Sequence, residues 1–257
     1  MPDPRAPYPR RVWRYLSVVL LIAVGSLIAG LAFGRTSQRF RADVSSRWNR
    51  LVVRNLGVRL RVSGQTALPD RPVLFVANHI SWLDIPVVSS ARPVRFVSKD
   101  DVLRWPVMGW LAKRAGTLFL NRGSGRAAHR MSAALAEALQ DGQHVVIFPE
   151  GTTTDGSRVL PFKAMLLQAA VDAEACVVPL SLHYTDEDGR PTTATAFIGD
   201  MSFIDTLRNI VAARRLNAEV VLHPPIDSTG LDRNQLAAMT EAAIAAAVAS
   251  RQVRLGS

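Results

Sequence analysis

The sequence has 257 residues and a net charge of +10, enough chain for one full-sized domain with a short appendage but not for two independent cores. A single cysteine, Cys176, excludes an intramolecular disulfide framework, and none of the five histidines has the spacing of a zinc ligand, so we expect no metal ion. Residues 1–62 hold all the excess charge, with twelve arginines against two acids, while nineteen basic and nineteen acidic residues cancel in the rest, a distribution that favours anionic lipid headgroups and excludes nucleic acid as a partner.

An uncharged, apolar run occupies residues 15–33, and at about 1.5 Å per residue it is about 28 Å long, close to the thickness of the hydrocarbon core of a bilayer. Arg14 and Arg35 bracket the run, and Trp13 lies where interfacial aromatic residues are common. The run therefore predicts a membrane-anchoring helix. The alternative is a cleaved signal peptide, although the run is longer than the apolar region of such peptides and lacks an A-x-A cleavage site. More arginines follow the run than precede it, so the positive-inside rule predicts a cytoplasmic C-terminal domain.

Residues 36–56 are predicted to form an amphipathic helix, because apolar residues recur near helical spacing and arginines fill the gaps. The apolar positions are Phe40, Val44, Trp48, Leu51, Val52 and Leu56. Such a helix either lies on lipid headgroups or packs as an ordinary surface helix on the domain that follows. We therefore predict a basic, membrane-anchoring helical region over residues 1–57 and a single domain over residues 58–257.

The rest of the chain alternates between short apolar runs, which predict strands, and longer segments of helical periodicity. The predicted strands cover residues 58–62, 73–77, 94–97, 117–120, 144–148, 177–183, 195–198 and 218–222. The predicted helices cover residues 84–91, 104–114, 124–140, 162–173, 202–214 and 232–250. Gly142 suits the end of one helix, and Asp232 with Gln235 suits a capping box at the start of another. Apolar strands joined by helical crossovers predict an α/β fold with a mostly parallel sheet flanked by helices.

The segment 73–84, VLFVANHISWLD, places His79 directly after an apolar strand and Asp84 five residues later, at a predicted helix start. Catalytic groups in open α/β sheets gather outside the carboxyl ends of strands. An aspartate that accepts a hydrogen bond from one imidazole nitrogen leaves the other nitrogen free to take a proton. The pair therefore predicts a catalytic base, although a structural turn would account for the same two residues.

Two further strand ends carry polar residues that suit an anionic or polyol ligand. The strand at 144–148 leads into the sequence FPEGTTTDG, a tight polar loop that exposes backbone N–H groups. The strand at 117–120 leads to Arg122, which could hold a phosphate through two hydrogen bonds or could be an ordinary surface arginine. Three strand ends that bring together a base, a polar loop and a cation form a more specific pattern than any one of them.

These features resemble the four motifs of the glycerolipid acyltransferase family, whose bacterial members include 1-acyl-glycerol-3-phosphate acyltransferases. The motifs NHxxxxD, GxxFxxR, FPEGT and an apolar strand with proline occur in order, at 78–84, 116–122, 148–152 and 177–180. The resemblance implies transfer of an acyl chain from an acyl-CoA or acyl carrier protein thioester to the free hydroxyl of lysophosphatidate, which forms phosphatidate for phospholipid biosynthesis. It also implies a location at the bacterial inner membrane, and no cofactor besides the thioester co-substrate.

Carried over to this sequence, the resemblance implies that His79 is the general base and that Asp84 orients it. The implied substrate-binding residues are Arg122 for the phosphate, Glu150, Gly151 and Thr152 for the headgroup, and Val178 and Pro179 for the acyl-donor side. A thioester is already activated, so transfer needs a base, an oxyanion site and positioning but no covalent nucleophile. Ser81 is a poor nucleophile candidate, because it lies only two residues from His79.

One departure from the family pattern bears on the acceptor. The family commonly has a basic residue directly after FPEGT, whereas this chain has Thr153, Thr154 and Asp155 there. Lys163 is the predicted substitute, because it opens the next predicted helix close to the loop. Alternatively, the acceptor carries less negative charge than lysophosphatidate, as a lyso-ornithine lipid does. A non-catalytic lipid-binding protein and a thioester hydrolase are the more distant alternatives.

Overall fold

The computed structural model describes residues 5–65, 67–120 and 125–256, and in these residues an eight-stranded sheet lies between two layers of helices. The strands are β1 (Val58–Gly64), β2 (Val73–Ala77), β3 (Arg95–Lys99), β4 (Leu118–Leu120), β5 (Val145–Ile147), β6 (Cys176–Thr185), β7 (Leu216–Leu222) and β8 (Ile226–Asp227). The helices are α1 (Tyr8–Leu31), α2 (Gln38–Asn55), α3 (Asp84–Ala91), α4 (Met108–Ala115), α5 (Gly125–Gln140), α6 (Gln168–Asp172), α7 (Phe203–Ala212) and α8 (Arg233–Gly256).

The described strands lie in the order β1-β7-β6-β2-β5-β3-β4, and β8 pairs with β6 outside this row. Their pairings are parallel except for those of β6 with β7 and β8, which are antiparallel. Strand β2 lies between β5 and β6, with Val76 opposite both Ile147 and Pro179. Because β2, β5 and β6 run in the same direction, their carboxyl ends meet at one edge of the sheet. The predicted α/β fold with a mostly parallel sheet is confirmed.

Alternate residues of the central strands face opposite helix layers, as the two-residue period of a strand requires. Phe75 and Val178 pack in a cluster with α2, α3 and α7, whereas Leu74 and Val177 pack with α5, α6 and α8. All four side chains are at most 1% exposed, and each buried side chain of this kind contributes about 1.5–3 kcal/mol. This packing fixes the register of the central strands, and therefore the positions at which they end.

The helix ends agree with the sequence prediction at two places. Gln235 donates its backbone N–H to Asp232 Oδ1 (2.9 Å), and Asp232 donates its backbone N–H to Gln235 Oε1 (2.8 Å), so the predicted capping box is confirmed. Gly142 follows the last turn of α5 with a φ of 78°, a conformation that glycine adopts without the steric cost of a Cβ atom.

Helix α1 runs along the α/β domain and is held near both ends. Near the N-terminus of α1, the buried Arg14 donates from Nη1 to the backbone oxygens of Val211 (3.0 Å), in the last turn of α7, and Ala213 (2.6 Å), directly after that helix. Near its C-terminus, Arg114 Nη2 on α4 donates to Gly30 O (2.8 Å). The helix is long and apolar enough to cross a membrane by length and composition.

Helix α2 confirms the amphipathic helix predicted over residues 36–56. One of its faces packs on α3, where Asn49 Nδ2 donates to Ser89 Oγ (2.9 Å). The other face exposes Phe40 (47%) and Leu51 (46%) between exposed arginines. The helix is therefore packed on the domain and still presents an apolar, basic surface outward. The division of the chain at residue 57 stays a prediction.

Three predicted elements differ from the structure. The strand predicted over 195–198 is wrong, because this segment is not a strand and instead bonds the His79 turn, where Phe197 N donates to Ile80 O (3.1 Å). The helix predicted over 104–114 begins only at Met108, after a tight turn in which Val107 has a φ of 63°. In the segment predicted as one helix over 162–173, a short 3₁₀ turn precedes α6. Strand β8 was not predicted.

Candidate active site

His79 and the polar loop after β5 lie next to one another, because β2 and β5 are adjacent parallel strands that end at the same edge of the sheet. His79 follows β2 by two residues, and Phe148 follows β5 directly. The two rings stack with centroids 4.2 Å apart and an angle of 18° between their planes. The loop also bonds the His79 backbone, whose oxygen accepts from Thr154 N (2.9 Å). The predicted convergence of these two strand ends is therefore present.

The His79 imidazole and the Asp84 carboxylate form a direct pair. Nδ1 of His79 lies 2.7 Å from Oδ2 of Asp84, and the carboxylate is 0% exposed while the imidazole is 21% exposed. The same oxygen accepts the backbone N–H groups of Ile80 (2.7 Å) and Ser81 (2.9 Å), which belong to the turn before α3. The turn thus bends back onto the first residue of α3, and three donors fix the carboxylate opposite the ring.

This geometry defines how the imidazole can act. Asp84 carries only acceptors, so Nδ1 of His79 holds the proton of the hydrogen bond between them. In the part of the chain that the structure describes, no group bonds Nε2, and the partly exposed ring leaves that nitrogen available to a ligand. Such an imidazole has a fixed tautomer and a free lone pair, which are the requirements for a general base.

Glu150 is buried, and its carboxylate binds backbone rather than solvent. Its Oε1 accepts from His79 N (2.7 Å) and its Oε2 accepts from Leu160 N (2.9 Å), so the side chain joins the His79 turn to the loop that follows β5. Burial raises the pKa of Glu150, while the hydrogen bonds from Leu160 and His79 oppose that shift. The structure therefore gives Glu150 a supporting position behind the site, beneath the headgroup surface to which the sequence assigned it.

Gly151 and Lys163 meet where the sequence predicts a headgroup site. The Lys163 ammonium lies 2.7 Å from the position that a Cβ atom on Gly151 would occupy, and Gly151 has a φ of 70°. Glycine is therefore needed both for the turn and for the approach of the lysine. Lys163 is held by its backbone N–H, which donates to Pro149 O (3.0 Å). Thr152, the next residue of the loop, is exposed.

The two residues predicted for the acyl-donor side, Val178 and Pro179, are not on this surface. Val178 and Pro179 lie in the middle of β6, opposite Phe75 and Val76, and both are buried. The structure puts them beneath the site, where they support β2, and not where an acyl donor would touch them. Arg122 lies outside the described residues.

Neither Ser81 nor Cys176 offers a nucleophile to this site. Ser81 is 0% exposed, and its hydroxyl oxygen accepts from Leu83 N (3.2 Å). Cys176 begins β6, at the end of the strand away from His79, and burial raises the pKa of its thiol. Within the described residues, no group of three or more His, Cys, Asp and Glu side chains could hold a metal ion.

Tyr184 belongs to the site but was not predicted from the sequence. It lies on β6, and its hydroxyl donates to Asp84 Oδ1 (2.8 Å), the carboxylate oxygen that faces away from His79. One hundred residues separate the two, so no motif spacing relates them. The only hint in the sequence is the tyrosine in the run LSLHYT, and a tyrosine in such a run is equally consistent with an ordinary core residue of a strand.

Comparison with known proteins agrees with this geometry. A family model described as "Acyltransferase" matches residues 59–183. A lyso-ornithine lipid O-acyltransferase from Pseudomonas aeruginosa is 41% identical over 189 residues, which are 74% of this chain and 72% of that protein. A 1-acyl-sn-glycerol-3-phosphate acyltransferase from Neisseria meningitidis is 39% identical over 204 residues, which are 79% of this chain and 78% of that protein.

The fold is shared with a solved structure. The crystal structure of the 1-acyl-sn-glycerophosphate acyltransferase from Thermotoga maritima aligns with a TM-score of 0.71 at 22% identity and covers 95% of both chains. The α/β fold and the ordered strand-end motifs are therefore those of a lipid acyltransferase. The chain belongs to the family of the bacterial 1-acyl-sn-glycerol-3-phosphate acyltransferases, as its motifs predicted.

Proposed function

We propose that this acyltransferase moves an acyl chain from an acyl-CoA or acyl carrier protein thioester to the free hydroxyl of a lysolipid. The observation that carries the proposal is the His79–Asp84 pair, joined at 2.7 Å at the end of β2 with Nε2 of the ring left free. The family supports acyl transfer as the reaction class.

The proposed chemistry is direct transfer with His79 as general base. Nε2 of His79 takes the proton of the acceptor hydroxyl while its oxygen attacks the thioester carbonyl carbon, and Asp84 stabilises the imidazolium that forms. The C–S bond then breaks, an ester remains on the acceptor, and the imidazolium returns the proton to the departing thiolate. Positioned proton transfer of this kind typically contributes about 10²–10⁴-fold to a rate.

For the acceptor we propose lyso-ornithine lipid, whose headgroup carries one carboxylate and one ammonium. The loop offers a matching arrangement, with the Lys163 ammonium beside Gly151 and the exposed Asp155 in the same loop. Hydrogen bonds from Ser157 lower the pKa of Asp155, so it carries a negative charge at neutral pH. The lyso-ornithine lipid relative from Pseudomonas aeruginosa, at 41% identity, supports the same acceptor.

Lysophosphatidate is the second candidate, and the sequence motifs favour it. The relative from Neisseria meningitidis carries that specificity in its name and is 39% identical. The loop disfavours lysophosphatidate, because its doubly charged phosphate would lie close to the ionised Asp155. Positions 153–155 hold no basic residue that would offset this repulsion. An acceptor of lower negative charge avoids this repulsion.

The test is an assay of thiol release from acyl-CoA with each of the two lysolipids in mixed micelles. We expect turnover with lyso-ornithine lipid to exceed turnover with lysophosphatidate, and the variant His79→Ala to lose at least about 100-fold in rate. His129→Ala, which removes an exposed histidine of α5, is the matched control. A folded His79→Ala protein with full activity would contradict the proposal. Free fatty acid formed faster than new ester would indicate a hydrolase instead.

We also propose that the protein works at the cytoplasmic face of the bacterial inner membrane, with α1 lying along the bilayer surface. Support comes from the two ends of α1, about 36 Å apart for 24 residues, which both bond the same domain through Arg14 and Arg114. A helix held in this way would have to release one end before it could cross the bilayer. Leu20 is 63% exposed on α1, so Leu20→Gln, which removes the apolar contact without adding a charge, should weaken binding to anionic vesicles in a flotation assay. Unchanged binding would contradict this arrangement.

A further inference from the structure

The Asp84 carboxylate accepts a fourth hydrogen bond, whose donor lies on a different element from the catalytic turn. Its Oδ2 already accepts from Nδ1 of His79 and from two backbone N–H groups of the turn. Its Oδ1 accepts from the hydroxyl of Tyr184 on β6, at 2.8 Å. Both oxygens of a carboxylate that is 0% exposed are thus satisfied, one by the turn and one by the neighbouring strand.

The tyrosine hydroxyl can act only as a donor in this pair. Burial and the neighbouring Asp84 carboxylate raise the pKa of Tyr184 well above its ordinary value of 10.0, so the phenol stays protonated at neutral pH. Asp84 offers acceptors only, which fixes the direction of the bond. The phenol therefore donates a hydrogen bond to Asp84 without adding a charge.

The bond constrains the orientation of the carboxylate. The Asp84 side chain has a rotatable terminal torsion with broad preferences, and the backbone donors of the turn hold only one of its two oxygens. A donor on β6 holds the other oxygen and so sets the plane of the group. The strand itself is fixed by its antiparallel pairing with β7, in which Tyr184 lies opposite Ala218.

We propose that Tyr184 is a positioning residue for acyl transfer, which holds the Asp84 carboxylate so that Oδ2 faces the His79 ring. The inference rests on the proposed roles of His79 and Asp84. Tyr184 does not touch the substrate in this arrangement and acts through the aspartate. Tyr184 also lines a cavity of about 140 Å³ together with Ile80 and Thr185.

The variant Tyr184→Phe separates positioning from packing, because it keeps the ring and removes only the hydroxyl. We expect kcat to fall about tenfold, since a buried hydrogen bond to a charged group is lost, while the KM for the lysolipid changes less than about twofold. Tyr8→Phe is the matched control, because Tyr8 is 74% exposed. A residue that only fills the core would tolerate the phenylalanine without a change in kcat.

The pH profile gives a second readout that packing alone would not move. Without the phenol, the negative charge of Asp84 concentrates on Oδ2, and the imidazolium of His79 is held more tightly. The acidic limb of the kcat/KM profile should therefore shift to higher pH. The other ionisable groups near the pair, Glu150 behind the His79 backbone and Lys163 beside Gly151, are identical in both proteins.

A fluorinated tyrosine keeps the test valid if Tyr184→Phe fails to fold. The chain has three tyrosines, so biosynthetic 3-fluorotyrosine in the variant Tyr8→Phe/Tyr15→Phe labels position 184 alone. The more acidic phenol is a stronger donor, and the acidic limb should move to lower pH, opposite to the phenylalanine variant.

The outcomes for the two proposals are distinguishable when His79→Ala is assayed alongside. Activity in His79→Ala would overturn the proposed function itself. An inactive His79→Ala together with wild-type kcat and an unmoved pH profile in Tyr184→Phe would overturn only the role of Tyr184. An unmoved profile in the fluorinated protein would do the same.

Discussion

The turn that carries His79 and Asp84 and the loop over residues 151–158 lie at the same edge of the sheet, but the fold holds them differently. The Asp84 carboxylate is 0% exposed and accepts four hydrogen bonds, from two different elements. In the loop, Thr152 and Asp155 are exposed, and the Asp155 carboxylate accepts hydrogen bonds from Ser157, two residues further along.

We infer from this difference that the turn carries out the reaction and that the loop selects the acceptor. A reacting group must be held within a fraction of an ångström, so the pair is fixed by buried contacts that a substitution would break at a high cost. Thr152 and Asp155 are exposed residues of the loop, and they can change with little effect on the core. We therefore expect substitutions in the turn to reduce the rate for every acceptor, and substitutions in the loop to change the choice among acceptors.

The largest expected effect comes from Asp84→Asn. Asparagine at position 84 lacks the negative charge that stabilises the imidazolium of His79. Its amide NH₂ would also face an N–H or O–H group that needs an acceptor. We therefore expect kcat to fall about a thousandfold with both lysolipids. Asp172→Asn, at an exposed position on α6, is the matched control, with a change of less than about twofold. A loss confined to one acceptor would contradict the separation of the two regions.

Glu150→Gln tests the residue that joins the two regions. Glutamine would place its side-chain NH₂ group, which is a donor, against one of the two backbone N–H groups that donate to Glu150. We therefore expect kcat to fall about tenfold and the free energy of unfolding to fall by about 1–3 kcal/mol. Urea unfolding measures the second quantity. Glu137→Gln, on the exposed face of α5, should leave both unchanged.

The same variant has a defined pH dependence. The pKa of Glu150 is raised in the folded protein above its ordinary value of 4.5. The contribution of Glu150 to the free energy of unfolding is therefore complete below pH 4.5, and it is lost as the pH rises through the raised pKa. The stability advantage of the wild type over Glu150→Gln should therefore be larger at pH 4 than at pH 7.5. A larger advantage at pH 7.5 would contradict the direction of the shift.

Lys163→Met tests the cation of the loop. Loss of the ammonium beside Gly151 should raise the KM of either acceptor about tenfold, with little change in kcat, because the lysine binds the negative group of the headgroup and not the reacting hydroxyl. Lys113→Met on α4 is the control. A fall in kcat at unchanged KM would move Lys163 from acceptor binding to the chemical step.

We expect the smallest effect from Asp155→Lys, which places a positively charged side chain in the loop. We expect the ratio of lysophosphatidate to lyso-ornithine lipid turnover to rise by about threefold, since an exposed charge is worth about 1 kcal/mol or less. Asp172→Lys on α6 controls for net charge. An unchanged ratio would indicate that residues elsewhere select the acceptor.

Much of the molecule could be predicted from local pattern. The order of strands and helices, the capping box at Asp232, the helix end at Gly142 and the amphipathic α2 all follow from periodicity and from end signals within a few residues. The segment 195–198 could not be predicted in this way. Its composition suits a strand, but its backbone bonds the His79 turn and the loop after β5, through Ile80 and Thr153, and these contacts come from segments distant in sequence.

The sequence by itself determined the α/β class, the family and the pairing of His79 with Asp84. Each follows from patterns that are visible along the chain: alternating apolar runs and helical segments, four motifs in order, and a spacing of five residues. Only the tertiary structure decided that Tyr184 reaches Asp84 from β6, that Glu150 bonds the backbone of His79, and that Val178 and Pro179 lie under the site. These contacts join segments up to one hundred residues apart. Their geometry is set by which strands become neighbours in the sheet, and that order is a property of the whole packed domain.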